Sequence, residues 1–214
     1  MLLRINRDFG KPPDYIKNVS PYVLEQFAKL DKPGKRANDY SVGYMWGTTG
    51  ILYNPKFVTD DEVKSWGIIW DKRFEGKILV KDAYRDIYGP MIMYGRYQDI
   101  LSGKVTREQL MNDSSDEAIA TVEKLLKDAK KNIAGWEVDF GKEMMTKEKA
   151  YINVSWSGDA VWAIEEAEGV GIHLDYEVPV EGSNVWYDGW VIPKYARNKK
   201  AATAVFFFGV LYVV

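Results

Sequence analysis

The sequence predicts an α/β fold with a mixed, mainly parallel sheet flanked by helices. Three observations carry that expectation. Short apolar or β-branched runs alternate along the chain with amphipathic, helix-period stretches. The runs at residues 77–81 and 151–155 each lead directly into a helix start. The chain has 214 residues, enough for one large domain or two small ones with a real core.

The elements follow in order. The opening carries Pro12-Pro13 and then Ser20-Pro21, a helix start with proline at its first position. A short helix to about Leu30 is expected, then a Lys/Pro/Gly turn at residues 31–35. Residues 40–53 are aromatic and β-branched but broken by Gly47-Thr48-Thr49-Gly50, which predicts two extended segments joined at a turn. Thr59-x-x-Glu62 has the spacing of a capping box and predicts a short helix. After the strand at 77–81, Asp82 is expected to cap a helix running toward Leu101, with Pro90 as a kink. Thr106-x-x-Gln109 and Ser114-x-x-Glu117 are two more capping boxes. The second opens an amphipathic helix with Ile119, Val122, Leu125, Leu126 and Ala129 on one face. Alternation predicts a strand at 136–140. The strand at 151–155 runs into a helix over about 158–168, and residues 172–178 and 185–192 read as further strands, the last ending at Pro193.

Composition excludes several functions. Twenty-nine Lys and Arg against 31 Asp and Glu leave a formal charge of -2, no footprint for nucleic acid. The absence of Cys excludes disulfides, thiolate metal sites and Cys nucleophiles. His173 is the single His and reads as structural, so neither a transition-metal site nor a cofactor is expected. Gly47-Thr48-Thr49-Gly50 is not followed by the Gly-Lys-Ser/Thr of a phosphate loop, and no Ser sits in a Gly-x-Ser-x-Gly elbow. Residues 1–4 lack the pattern of a secretory signal. The uncharged run at 201–214 is too short to span a bilayer as a helix, and it offers a surface for self-association.

Eight Trp and fourteen Tyr point instead toward a ligand cleft. Two clusters combine rings with carboxylates: Trp156-Ser157-Gly158-Asp159 with Trp162, and V-W-Y-D-G-W at 185–190. Aromatic faces attract cations and a carboxylate among them anchors an ammonium, so the pattern suits an organic cation with an apolar chain. The competing reading makes Trp186 and Tyr187 core aromatics on a strand. Asp82 and Asp86, spaced i, i+4, would share one face of a first helical turn. The alternative makes Asp82 a cap and Asp86 a solvated partner of Arg85.

Four segments resemble a known family. They are YSVGYMWGTTGILYN (40–54), KDAYRDIY (81–88), INVSWSGDA (152–160) and WYDGWVIPK (186–194), in that order. Together they are similar to the extracytoplasmic spermidine/putrescine-binding proteins of bacterial ABC importers, over roughly residues 18–202. The resemblance implies a type II periplasmic-binding fold, two lobes joined by crossover strands, with a polyamine held in an aromatic and acidic interlobe cleft. It assigns Asp86 as an amine-binding carboxylate and Trp156 as a wall for the methylene chain. Trp186 becomes a second ring and Asp188 a second amine anchor. Spermidine-preferring members can carry an extra acid where this chain has Ala83, and Asp82 directly precedes it. The implied division is a first-lobe remnant and linker at 1–39, the ligand-binding lobe at 40–193, and a return into the first lobe at 194–214 ending in a truncated or aberrant apolar tail. The implied partners are the polyamine and a membrane permease. The implied location is periplasmic or otherwise extracytoplasmic, with a lipoprotein anchor among the options, and no catalysis. The rivals are a binder of another cationic amine or amino-acid-like solute, a carbohydrate-active enzyme using Asp82 or Asp188, and a purely structural interaction domain.

Overall fold

The computed structural model describes residues 2–5 and 18–211, so Pro12-Pro13 lies outside the described residues. The chain divides into two units: Gly47–Val185, and Met1–Trp46 together with Trp186–Val214.

The continuous unit is built on strands β1 (Ser41–Tyr53, which begins in the other unit), β2 (Ile78–Lys81), β3 (Ile133–Glu137), β4 (Ile152–Trp156) and β5 (Asp175–Glu177). Their order is β3-β2-β4-β1-β5. β2 runs parallel to β3 and β4, while β1 is antiparallel to β4 and β5. The sheet is therefore mixed, its parallel part confined to three strands. Its helices are α2 (Tyr84–Gly95), α3 (Tyr97–Leu101), α4 (Arg107–Met111), α5 (Asp116–Ala129), α6 (Gly141–Thr146) and α7 (Ser157–Gly169), numbered after α1 (Pro21–Ala28). Alternate strand residues divide between two cores. Ile51, Ile78, Val80, Ile152 and Val154 join Trp66, Met91 and Ile92 on one face. Leu52 and Leu79 join Met145, Ala160, Ala163 and Ala167 on the other. Burial on both faces explains why β2 opens as the uninterrupted apolar run Ile78-Leu79-Val80.

The split unit gathers α1, the start of β1, β6 (Val185–Val191), which pairs with β1, and α8 (Lys199–Leu211). Its core contains Leu3, Ile5, Val23, Phe27, Ile192 and Phe206. Leu3 N–H donates to the Ile192 carbonyl at 2.8 Å. α1 starts at Pro21 as expected and ends at Ala28.

Several expectations are corrected. Residues 41–53 form one strand, with no turn at Gly47-Thr48-Thr49-Gly50. Gly50 is there for close approach: a Cβ would lie 2.5 Å from the Tyr176 ring and 2.6 Å from the Glu177 carbonyl oxygen. Asp82 does not cap α2. Its N–H donates to the Glu137 carbonyl at 2.9 Å, prolonging the sheet edge, and Ala83 is the N-cap. Asp82 and Asp86 therefore do not share a helical turn. The helix runs through Pro90 but breaks at Arg96, so that Leu101 ends a separate helix. Thr59 and Glu62 make the reciprocal half of a capping box, at 2.8 Å from the Thr59 N–H to Glu62 Oε2, but start only 3₁₀ turns. Thr106 and Gln109 complete theirs in both directions. The third box shifts by one residue, because Ser115 rather than Ser114 caps α5 and accepts from the Ala118 N–H. On α5 the exposed Ile119 cedes its core place to Ala118. The strand predicted at 136–140 is displaced to 133–137 and its faces are inverted. Trp136, Val138 and Phe140 are exposed while Glu137 is buried. The strand predicted at 172–178 shrinks to Asp175–Glu177.

Candidate ligand-binding site

In the continuous unit the parallel neighbours β2 and β4 end side by side, the position where α/β sheets place ligands. From β2 the chain passes through Asp82 and Ala83 into α2. From β4 it turns at Trp156, the N-cap residue of α7. β1 supplies a third element here, because Thr49 is the register partner of Trp156.

Asp86 stands in the first turn of α2, where the helix dipole favours a negative charge. Its Oδ1 accepts from Thr49 Oγ1 at 3.1 Å and from Asn184 Nδ2 at 2.8 Å. Thr49 and Asn184 are buried and tied to each other by a 3.3 Å backbone hydrogen bond. Among the described residues, Oδ2 takes no hydrogen bond and no Lys or Arg pairs with the carboxylate, which disposes of Arg85 as its partner. The carboxylate is thus oriented by neutral donors and keeps one oxygen for a cation. Asp82 is exposed two residues before α2.

Trp156 is partly buried, and an internal cation lies against it. Lys81 Nζ is 4.2 Å from its ring centroid. That ammonium donates to Glu137 Oε1 at 2.9 Å and the Val138 carbonyl at 3.0 Å, and reaches Asp159 Oδ2 at 3.4 Å. Asp159 also accepts from Lys142 Nζ at 3.2 Å, and Lys142 lies 5.1 Å from the Trp162 ring centroid. Asp159 is therefore occupied by two lysines rather than offered to a ligand. Thr49 is common to both predicted residues: its hydroxyl donates to Asp86 and its backbone is the register partner of Trp156.

In the split unit, Asp188 is exposed on β6, and Trp186 is partly buried with its indole N–H unpartnered among the described residues. Tyr187, between them, points the other way and shares a 2.7 Å hydroxyl contact with Tyr22. Burial and that contact push its hydroxyl pKa up to about 12. Trp190 packs on Tyr44 and Phe206, with ring centroids 5.0 and 5.4 Å away.

Reasoning from sequence missed Thr49, Asn184 and Lys81. Thr49 lay in a segment read as a turn, and Asn184 carried no signal. Lys81 had one: a charged residue closing an otherwise apolar strand must find a partner. A cavity of about 210 Å³ lies between Tyr88 and Asp113 and includes none of the five predicted residues. Among the described residues no group of three or more His, Asp or Glu is placed to hold a metal ion, and no helix is long and apolar enough to cross a membrane.

Comparison with known proteins adds the family context. A family model described as bacterial extracellular solute-binding protein matches residues 13–209. The spermidine/putrescine-binding periplasmic protein of Escherichia coli K12 is 28% identical over 192 residues, covering 87% of this chain and 51% of that protein. The putrescine-binding periplasmic protein PotF of the same organism is 25% identical over 207 residues, covering 91% and 52%. Among solved structures, the spermidine/putrescine ABC transporter substrate-binding protein PotD of Streptococcus pneumoniae superposes with a TM-score of 0.69 at 26% identity, covering 98% of this chain and 57% of that one. The Tp0655 lipoprotein of Treponema pallidum shares the fold, with a TM-score of 0.73 at 22% identity, covering 98% of this chain and 59% of that one. The chain spans about half the length of the curated relatives it matches.

Proposed function

The chain belongs to the bacterial extracellular solute-binding protein family, and from that premise we propose that it captures a polyamine, putrescine or spermidine, for an ABC importer. The observation that carries this is the Asp86 carboxylate, oriented by Thr49 and Asn184, with Thr49 also the backbone register partner of Trp156. The names of the relatives support the ligand class.

The mechanism is capture without chemistry. Oδ2 of Asp86 receives one ammonium as a charge-assisted hydrogen bond. Methylene groups lie against Trp156, whose apolar surface they cover. Trp186 and Asp188 of the split unit repeat the pairing of a ring with a carboxylate and are further candidates for polyamine contact, while the exposed Asp82 adds to the negative field that attracts a polycation. Delivery to a membrane permease places the work outside the cytoplasm.

Calorimetric titration with putrescine, spermidine, lysine and glucose tests this reading. The two polyamines should bind and Asp86→Asn should weaken them. A hydrogen bond to a charged group is worth about 1.5–3 kcal/mol, which corresponds to roughly 10- to 100-fold in Kd. Preference for lysine over both polyamines would move the ligand to another cationic solute. Equal affinity in wild type and Asp86→Asn would remove Asp86 from the site.

A further inference from the structure

Lys81 has no place in the capture mechanism, yet its ammonium lies over the ring of a proposed ligand wall. Its side chain and that of Glu137 are each only 1% exposed. An ammonium has three donors, and here they meet three acceptors: Glu137 Oε1, the Val138 carbonyl and Asp159 Oδ2. The seat is closed on its far side as well. Glu137 Oε2 accepts from the Gly141 N–H at 2.9 Å. A Cβ on Gly141 would meet Asn153 Nδ2 at 2.4 Å and Glu137 Oε1 at 2.6 Å. Lys81 is therefore a fixed cation that cannot swing into water, and its Nζ sits 4.2 Å from the Trp156 ring centroid.

We propose that Lys81 is a positioning residue for Trp156, and that it reserves the ring's remaining face for uncharged methylene groups and turns an ammonium away from it. This rests on the solute-binding reading above. The quadrupole of an indole draws a cation to either face, but here one face is already taken by a charge that cannot leave. A second ammonium on the opposite face would sit on the order of 8 Å from the first, inside the screening length of about 10 Å at 0.1 M salt, and although Glu137 and Asp159 offset part of the repulsion, the charge held against the ring is the ammonium. A methylene segment meets no such opposition and gains from burial. The ligand's charge is thus directed to Asp86 and its chain to Trp156, which makes the number of methylenes between ammonium groups a selected quantity.

The test compares wild type with Lys81→Met/Glu137→Gln, which removes both buried charges together and leaves an acceptor for Gly141. The ligands are diamines with about three to six methylenes, together with tetramethylammonium, which asks only for an open ring face. In the double variant tetramethylammonium should bind roughly tenfold tighter than to wild type, and the spread between best and worst diamine should narrow by a similar factor. A double variant that melts cooperatively and shows the wild-type spread and wild-type tetramethylammonium affinity overturns the proposal. Wild type that binds no diamine refutes the polyamine reading, while the gain or lack of gain in the variant still decides the role of Lys81. A readout without ligand or refolding risk is the nuclear magnetic resonance of the Lys81 ε-methylene in wild type. It should be shifted upfield by the Trp156 ring current, and an ordinary lysine position would sink the contact itself.

Discussion

Replacing Lys81 with methionine removes one half of the buried pair and leaves the other half in place. Methionine nearly fills the lysine stem's volume, so the dominant effect is electrostatic and little of it comes from a cavity. Glu137 would keep a single donor, the Gly141 N–H at 2.9 Å, for a carboxylate that is 1% exposed. An uncompensated buried charge of this kind costs about 3–5 kcal/mol, a large part of the roughly 5–15 kcal/mol that holds a domain together. For a chain of this size each kcal/mol moves Tm by about 2–4 °C, so a fall of roughly 6–20 °C is expected. Adding Glu137→Gln removes the stranded charge while keeping an oxygen for Gly141, and should restore most of the loss. The assay is thermal unfolding at pH 7, followed by far-ultraviolet circular dichroism, on wild type, both single variants and the double. The reasoning is refuted if Lys81→Met melts with wild type. It is equally refuted if the double variant falls by the sum of the two singles, because independent effects mean no pair.

Three further outcomes are expected. Gly50→Ala should lower stability by about 1–3 kcal/mol as its Cβ is forced onto Tyr176, seen as a lower urea midpoint, whereas Gly158→Ala, which meets nothing within 4 Å, should be neutral or slightly stabilising. Ser115→Ala should cost about 1 kcal/mol by removing the cap of α5, and Ser114→Ala should stay within about 0.5 kcal/mol; the same titration separates them. Burial raises the Tyr176 hydroxyl to about 12, against the opposing pull of its Thr48 contact. The folded state therefore holds that proton longer than the unfolded chain does. The contribution is intact below the ordinary tyrosine pKa of about 10 and is lost as pH climbs from there to about 12. Melting temperatures across that range should fall less steeply in Tyr176→Phe.

The order of strands and helices was legible because burial of one helix face or of both strand faces leaves a periodic trace. What failed did so for identifiable reasons. Gly47-Thr48-Thr49-Gly50 looks like a turn, yet Gly50 is required by Tyr176, a residue 126 positions later that no local pattern reveals. W-E-V-D-F at 136–140 alternates correctly for a strand, but Glu137 is drawn inward by Lys81 and the three apolar residues are left outside. The spacing rule favours Ser114, which has Glu117 three residues on, yet Ser115 takes the cap and accepts from the Ala118 N–H. At the site, Asp86 and Trp156 were legible as residue types with a chemistry. Thr49 and Asn184, which aim the carboxylate, were not, because a neutral donor at a distance in sequence leaves no mark.

The division of the chain also has a consequence for how the protein is made. Gly47–Val185 is one unbroken run, whereas the other unit draws on both flanks of it. The core of that split unit joins Val23 and Phe27 to Ile192 and Phe206. During synthesis the inserted unit has all its residues once Val185 has emerged, and it can close while the rest is still being added. Val23 and Phe27, made before that run, must wait for Ile192 and Phe206, made after it, so this part of their apolar surface stays uncovered while the inserted unit closes. Vectorial synthesis thus completes the unit carrying Asp86 and Trp156 before the unit whose N-terminal segment precedes it.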